Sequence, residues 1–374
     1  MTSRKDARLR KAACVRLLFF AAMAFDSASA CAQNSDTIRQ YQFEPASSGY
    51  RIVMKEVPQP VAGDNQVLVR VRATSLNRRD LNMLRNDYGD DFSYASAIPL
   101  SDGAGEVIAV GKDVTRFEEG DRVAGIFFEK WIDGAPSEKA LLSDRGGNAG
   151  GMLSEVIVTH EESLVSIPEH LSYEEAASLP CAAVTAWVGL FKRGRIEPGQ
   201  YVLLEGTGGV SIFGLIFSDA LGAKPIITSS RDHKLERAME MGAIGTANYR
   251  SNSDWHLEVK KISGGDGVHQ VLDVGGRDTL ARALEILAYG GHIALIGGLS
   301  GYGSDVPTDA IMWINATVSG VYVGSREDFE AMNDFLSEHE IRPLIDRVFE
   351  FEEAPAAYEY MESGDFMGKI VIRL

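Results

Sequence analysis

The stretch that decides the fold is Tyr201-Val-Leu-Leu-Glu-Gly-Thr-Gly-Gly-Val-Ser-Ile-Phe-Gly-Leu-Ile-Phe-Ser-Asp-Ala-Leu221. Its first residues form a short apolar run of the kind that makes a buried strand. Gly206, Thr207, Gly208, Gly209 and Val210 then turn the chain into a segment of helical length and composition. A glycine turn between a strand and a helix N-terminus brings backbone N–H groups and the positive end of the helix dipole against a phosphate. Strand, glycine loop and helix in that order predict the first unit of a doubly wound α/β domain that cradles a dinucleotide pyrophosphate. Ser211 stands where the G-x-G-x-x-G pattern has its third glycine, so the motif is carried by its strand-to-helix context rather than by glycines alone.

Downstream, apolar strands at Ile226-Ile227, Val268 to Val274 and His292-Ile-Ala-Leu-Ile296 alternate with amphipathic segments that show helical spacing at Leu280, Leu284 and Leu287. That alternation specifies a parallel sheet covered by helices. Gly275 and Gly276, and Gly297, Gly298 and Leu299, follow strands at their carboxyl ends, where ligands sit in open parallel sheets. The second trio is expected to line the cofactor, whereas Gly275 and Gly276 read equally well as turn residues. A site that prefers NADH places an acid at the end of the second strand to grip the ribose 2′-hydroxyl. Here that strand finishes Ile226-Ile-Thr-Ser-Ser-Arg231, with Lys234 one turn on. Ser229, Ser230, Arg231 and Lys234 offer hydroxyls and cations suited to a 2′-phosphate, which favours NADPH. Asp232 stands close enough to keep NADH possible, and the serines also suit an ordinary helix cap.

On the other side of the loop the texture is β. Residues 41–73 alternate between apolar and polar, as in Gln66-Val-Leu-Val-Arg-Val-Arg72, and a second strand-rich stretch runs from Gly103 through Gly125. Between Glu129 and Leu153 lies a polar, glycine-containing loop, expected to be a lid or insertion. Ser172 and Glu175 form a capping box that opens an alanine-rich helix interrupted at Pro180. The tail carries two more helical segments and a closing strand, Lys369-Ile-Val-Ile-Arg373, whose sheet the periodicity leaves open.

A chain of 374 residues with 45% hydrophobic residues can build two cores. A formal net charge of -16 opposes binding to nucleic acid or anionic lipid by a basic face and leaves a small molecule as the expected partner. Three cysteines, Cys14, Cys31 and Cys181, do not support a disulfide framework. Residues 1–32 combine six basic residues up to Arg16, an apolar run from Leu17 to Phe25 and Ala28-Ser29-Ala30. They read as a signal peptide or as a disordered extension; the first implies a periplasmic or secreted protein, the second a cytoplasmic one. Cleavage after Ala30 would expose Cys31 to lipidation, although Ala28 stands where a lipobox has leucine. The apolar run is too short to span a bilayer.

Taken together, Ser75-Leu-Asn-Arg-Arg-Asp-Leu81, Asp102-Gly-Ala-Gly-Glu-Val107, Leu179-Pro-Cys-Ala-Ala-Val-Thr-Ala-Trp187, the glycine loop and Gly368-Lys-Ile-Val-Ile372 resemble the medium-chain dehydrogenase/reductase superfamily, in particular its zinc-less, quinone oxidoreductase-like branch. The resemblance implies a GroES-like catalytic domain over residues 38–180, completed by 325–374, and a Rossmann domain over 181–324. It also implies a cleft between them, a closing strand back in the first domain, and a homodimer. It places Asn77 and Asp80 at the cleft with Tyr88 as a possible donor, and adds Thr185, Tyr249 and Arg326 to the cofactor set. Catalytic zinc in this superfamily is held at positions that are Asn77, Ser101 and Cys181 here, and the structural-zinc cysteines are missing between Glu129 and Leu153. One thiolate cannot hold the ion, so no metal is expected and Cys181 reads as a small buried hydrophobe. The expected reaction is hydride transfer from NADPH to a quinone, enone or related carbonyl compound. The alternatives are an atypical alcohol dehydrogenase and a non-catalytic dinucleotide-binding protein.

Overall fold

The computed structural model describes residues 37–89, 93–303 and 306–374, so the signal-peptide reading of residues 1–32, with Cys14 and Cys31, lies outside the described residues. Strands β1 (Thr37–Pro45) and β2 (Tyr50–Pro58) pair as an antiparallel ribbon. Strands β3 (Gln66–Ser75), β4 (Asp102–Val110), β5 (Arg122–Gly125), β6 (Val156–His160) and β7 (Leu164–Ser166) pair antiparallel in the first of two larger sheets. Period-2 alternation works on both faces of β3: Val67, Val69 and Val71 enter one apolar cluster while Leu68 enters another.

The parallel sheet contains β8 (Tyr201–Leu204), β9 (Lys224–Ser229), β10 (Gly245–Asn248), β11 (Val268–Asp273), β12 (Leu287–Leu295) and β13 (Thr317–Gly320). Their spatial order is β10-β9-β8-β11-β12-β13, with every pairing parallel. Taken in chain order this is 3-2-1-4-5-6, the doubly wound dinucleotide-binding arrangement, and the order reverses between β8 and β11. Strands β10 and β13 escape a reading by hydrophobicity because they are edge strands of four residues, Gly-Thr-Ala-Asn and Thr-Val-Ser-Gly.

The chain then returns. Strand β14 (Ile345–Glu350) lies parallel to β15 (Lys369–Arg373), and β15 pairs antiparallel with β3 through Ala73, Thr74 and Ser75. The closing strand therefore belongs to the first sheet, in the order β14-β15-β3-β4-β5-β7.

Residues Tyr173–Arg193 join the two sheets. The capping box of Ser172 and Glu175 is present, and beyond it Pro180, which has no N–H to donate, sits in a widened helical turn over Leu179–Ala183. This apolar segment lies in a core shared by Ala73, Ala104 and Val371 of the first sheet and Leu204, Ile212 and Phe213 of the Rossmann unit. On helix Gly209–Leu221, a Cβ on Gly214 would lie 2.6 Å from Leu204 Cδ2 and 2.8 Å from Leu272 Cδ1. The glycine that permits close helix–sheet packing is thus one turn beyond Ser211, whose hydroxyl donates to the Glu205 carbonyl at 2.6 Å.

The segment between Glu129 and Leu153 is not a lid. Arg145 is 1% exposed, pairs with Glu129 at 3.0 Å and donates to Thr159 Oγ1 at 3.1 Å, so it staples the segment into the first domain. Asp144 accepts from Arg79 and, at 2.6 Å, from Asn148 Nδ2. The polarity at Asp144 and Arg145 is that of buried, mutually satisfied charges, whereas Asp133, Glu138 and Lys139 earlier in the segment are exposed.

Replacing Gly214 by valine should lower stability by about 1–3 kcal/mol through overpacking, read as a drop in Tm by calorimetry. An unchanged melting curve would show that the helix can back away from β8 without cost.

Candidate active site

The phosphate loop is shaped by backbone needs. Gly206 has φ +78°, a left-handed conformation, and a Cβ added at Gly206 or Gly208 would meet open space. No side chain caps helix Gly209–Leu221, so its N-terminal end faces that space. A Cβ at Gly209 would lie 2.9 Å from Ala182 Cβ and 3.0 Å from Lys369 Cδ, so only glycine lets the helix start rest against β15. The Gly368 N–H donates to the Thr207 carbonyl at 3.0 Å, which stitches the loop to the returning strand. Thr207 is buried and Val210 half-buried.

Several residues of the expected cofactor set lie along the carboxyl edge of the parallel sheet. Ser229 is buried at the end of β9, and its hydroxyl accepts from the Arg231 N–H at 3.4 Å; Ser230 is half-buried. Arg231 is exposed, with its nearest acid, Asp365, at 4.0 Å. Tyr249, just past β10, is exposed, and its N–H donates to the Ser229 carbonyl at 3.1 Å. Leu299 is exposed beyond β12, and its N–H donates to the Val274 carbonyl at 3.1 Å. Gly297 packs against Val274, and Gly298 lies under the Tyr302 ring. Thr185 is buried in the joining segment and donates to the Cys181 carbonyl at 2.7 Å.

Two members of the set are placed otherwise than expected. The ammonium of Lys234, expected to meet a 2′-phosphate, is buried and donates to the carbonyls of Gly364 and Phe366 at 2.8 Å each. Arg326 starts helix Arg326–Glu338 and pairs with Glu162 and, at 3.5 Å, with Glu330, which spends its guanidinium on the β-rich unit and its own helix.

The cleft-side cluster gathers around Asn77, the N-cap of helix Arg78–Arg85. Its backbone N–H donates to Asp80 Oδ2 at 2.7 Å, and Asp80 is 1% exposed. Asp80 therefore holds the Asn77 backbone and does not face the cleft, a correction to its expected catalytic place. Burial pushes its carboxyl up to about 6 against the partial offset of the Arg79 charge. The Asn77 Oδ1 accepts from Lys369 Nζ at 2.7 Å, and Nδ2 lies 3.5 Å from Ser101 Oγ. Lys369, 2% exposed, also donates to the Leu76 carbonyl at 2.9 Å and to Asp102 Oδ2 at 3.1 Å. Asp102 accepts further from Ser101 Oγ at 2.8 Å and Ser75 Oγ at 3.3 Å. Cys181, expected as a buried hydrophobe, is half-buried; desolvation by the groups around it, with the Asp102 charge adding, raises its thiol well above the ordinary range and keeps it protonated. The exposed Tyr88 accepts from Asn82 Nδ2 at 3.4 Å. Tyr322, 58% exposed, packs edge-on against Phe128 at 5.0 Å.

The comparisons agree with this architecture. The profile of the alcohol dehydrogenase GroES-like domain matches residues 63–169, and that of zinc-binding dehydrogenases matches residues 209–338. A zinc-type alcohol dehydrogenase-like protein of Schizosaccharomyces pombe is 41% identical over 325 residues, covering 85% of this chain and 93% of the relative. The chain belongs to the medium-chain dehydrogenase/reductase superfamily. Within that superfamily it is also similar to quinone oxidoreductase-like protein 2 of Bos taurus, 30% identical over 86% of this chain and 89% of the relative. A crystal structure of an alcohol dehydrogenase candidate from Sinorhizobium meliloti superposes with a TM-score of 0.85 at 35% identity, over 91% of this chain and 99% of that one. The chain is accordingly an oxidoreductase of a superfamily whose members bind NAD(P).

For this superfamily member, sequence reasoning named Asn77 as a site residue and did not so name its neighbours Lys369, Arg79 and Tyr322. Lys369 left one legible signal, a lysine at the head of a strand whose next three residues are apolar. Arg79 bonds Asp144 and the Arg145 carbonyl and lies 4.7 Å from the Phe127 ring centroid. Among the described residues no group of three or more His, Cys, Asp or Glu is placed to hold a metal ion, and no helix is long and apolar enough to cross a membrane.

The raised carboxyl of Asp80 makes a stability prediction. Because its folded value lies above its unfolded one, the folded state binds the extra proton, and stability is lost as pH rises from about 4 through about 6. Asp80→Asn should remove that loss, on the order of 3 kcal/mol, so denaturant midpoints of the two proteins should diverge across this window. Parallel midpoints would place the Asp80 titration at its ordinary value.

Proposed function

We propose that the chain reduces the activated double bond or carbonyl of a quinone, enone or enal with NADPH, and does so without zinc. The observation that carries this reading is the Lys369 ammonium, 2.7 Å from the Asn77 amide oxygen and 3.1 Å from Asp102. Of the three residues at zinc-ligand positions only Cys181 is a soft ligand, and its thiol is held protonated. Of the nearby carboxyl groups, Asp102 already carries Lys369 as its counter-ion and Asp80 is held by the Asn77 N–H. A dication placed there would meet the Lys369 ammonium, of like charge, at contact range, so these residues do not fit a zinc ion.

A dinucleotide, in contrast, fits the residues present. The open space at Gly206 and Gly208 and the uncapped helix start suit a pyrophosphate. When bound, the reduced nicotinamide supplies the hydride. With its oxygen turned to Lys369, the Asn77 amide offers Nδ2 as the donor that holds a substrate oxygen while negative charge develops on it. The Asp232 carboxylate beside β9 accepts from Asn248 Nδ2 at 2.5 Å and keeps its charge, whereas Ser229, Ser230 and Arg231 line the end of that strand with two hydroxyls and a cation. This supports a 2′-phosphate, with Arg231 as its cation now that Lys234 is spent elsewhere.

A second reading, zinc-dependent alcohol oxidation, is favoured by the name of the fission-yeast relative. Turnover of NADPH and NADH with quinones, enones and alcohols, with and without a chelator, separates the two. Chelator-insensitive quinone or enone reduction is expected, and alcohol oxidation abolished by chelation would sink the proposal. Asn77→Ala should lower kcat about 10²- to 10³-fold, the loss typical of one oxyanion donor. Arg231→Ala should raise KM for NADPH roughly tenfold and leave NADH unaffected, as expected for one charge-assisted contact; equal effects on both cofactors would remove Arg231 from the 2′-phosphate site.

A further inference from the structure

We infer that Lys369 is a positioning residue for hydride transfer: its ammonium captures the Asn77 carboxamide oxygen and thereby presents the Nδ2 face of the amide to the substrate oxygen. This rests on the reading of Asn77 as the substrate-facing donor and adds what makes it one.

A carboxamide can turn over and exchange its acceptor for its donors, and only the donor side can stabilise an oxyanion. At Asn77 the backbone is fixed by the bond from its N–H to Asp80, so the remaining freedom is in the side chain. An ammonium has three protons and no lone pair, so the atom 2.7 Å from Lys369 Nζ must be the amide oxygen. The protons of Lys369 are matched one to one by Leu76 O, Asn77 Oδ1 and Asp102 Oδ2, at 2.9, 2.7 and 3.1 Å. None is left for a ligand, so the ammonium acts through the amide. On the other side, Nδ2 finds only Ser101 Oγ at 3.5 Å, a long contact, while the Ser101 hydroxyl is itself turned to Asp102 Oδ1 at 2.8 Å. One good donor proton of Asn77 is therefore available, and the adjacent cation polarises the amide and strengthens it.

Placement of Lys369 also ties this donor to the phosphate loop. Its stem lies where a Cβ on Gly209 would be 3.0 Å from Cδ, and the preceding residue, Gly368, donates to Thr207 O at 3.0 Å. Gly368, just before β15, and Lys369, its first residue, thus hold the cofactor loop and orient the amide in a fixed register.

The test uses the full chain, NADPH and 1,4-naphthoquinone, with NADPH binding followed separately by fluorescence. Lys369→Met leaves Asp102 buried without its counter-ion and is paired with Asp102→Asn/Lys369→Met, which leaves neither charge alone. The double variant should lose about 10- to 100-fold in kcat, the usual cost of removing an outer-shell orienting group, with KM and NADPH affinity unchanged. Adding Asn77→Ala to it should bring kcat to the level of Asn77→Ala alone and no lower. In protein labelled with ¹⁵N-asparagine, the Asn77 side-chain signals, assigned by their loss in Asn77→Ala, should shift in the Lys369 variants. Full kcat in Asn77→Ala, or no naphthoquinone turnover by the unmodified chain, would overturn the donor reading and this inference with it. Slow Asn77→Ala with a fully active double variant, or unmoved Asn77 signals, would overturn the Lys369 inference alone. Weakened NADPH binding in step with kcat, or failure of both Lys369 variants to fold, would make Lys369 a structural brace and overturn it as well.

Discussion

The structure turns on a lysine ammonium buried where the returning strand meets the phosphate loop. Lys369 and Asp102 are both withdrawn from water, and removing one partner of such a pair costs roughly 3–5 kcal/mol, whereas replacing both by apolar groups of similar volume is often neutral. Stability alone does not account for the pair. What it adds is register: Lys369 reaches the Leu76 carbonyl, which belongs to the turn after β3, while Gly368 beside it bonds Thr207. A shift of β15 by one residue would turn the ammonium to the opposite face and break every one of these contacts.

Around this junction the polar groups are arranged so that little net charge is left in the crevice of a strongly acidic chain. Glu205 and Asp273 end β8 and β11, the two strands between which the sheet order reverses. Burial and their mutual repulsion raise Glu205 well above the usual carboxylate range, and burial raises Asp273 while the Gly276 N–H and the Thr279 hydroxyl, each at 2.8 Å, partly offset it. Proton retention by such a pair spares the neighbouring helix start a second negative charge. The same logic holds at His292, which burial depresses to about 4 and which sits neutral between Gln270 and Ser319.

Charges elsewhere show how a polar segment becomes part of a core. Arg145 and Asp144 lie in a stretch with the composition of a loop, yet Arg145 is among the most deeply buried side chains. Its guanidinium carries five donors in a planar fork and finds Glu129, Thr159 and the carbonyls of Ile126 and Gly150 around it. A dense set of acceptors makes burial of that charge tolerable, and it fastens the segment to the wall of the first domain.

From the sequence by itself follow the doubly wound unit, the glycine loop, the capping box at Ser172, and the absence of zinc-type side chains at Asn77 and Ser101. These are local properties: strand and helix periods, turn chemistry and residue type are written within a few positions of one another. Only the tertiary structure decided that Gly214 rather than Ser211 packs the helix, that Lys234 is spent on the carbonyls of Gly364 and Phe366, and that Lys369 reaches Asn77 and Asp102. The partners of Lys369 lie 292 and 267 residues away along the chain. No period connects such positions, because a buried charge takes whatever counter-charge and acceptors the packed sheets bring to it.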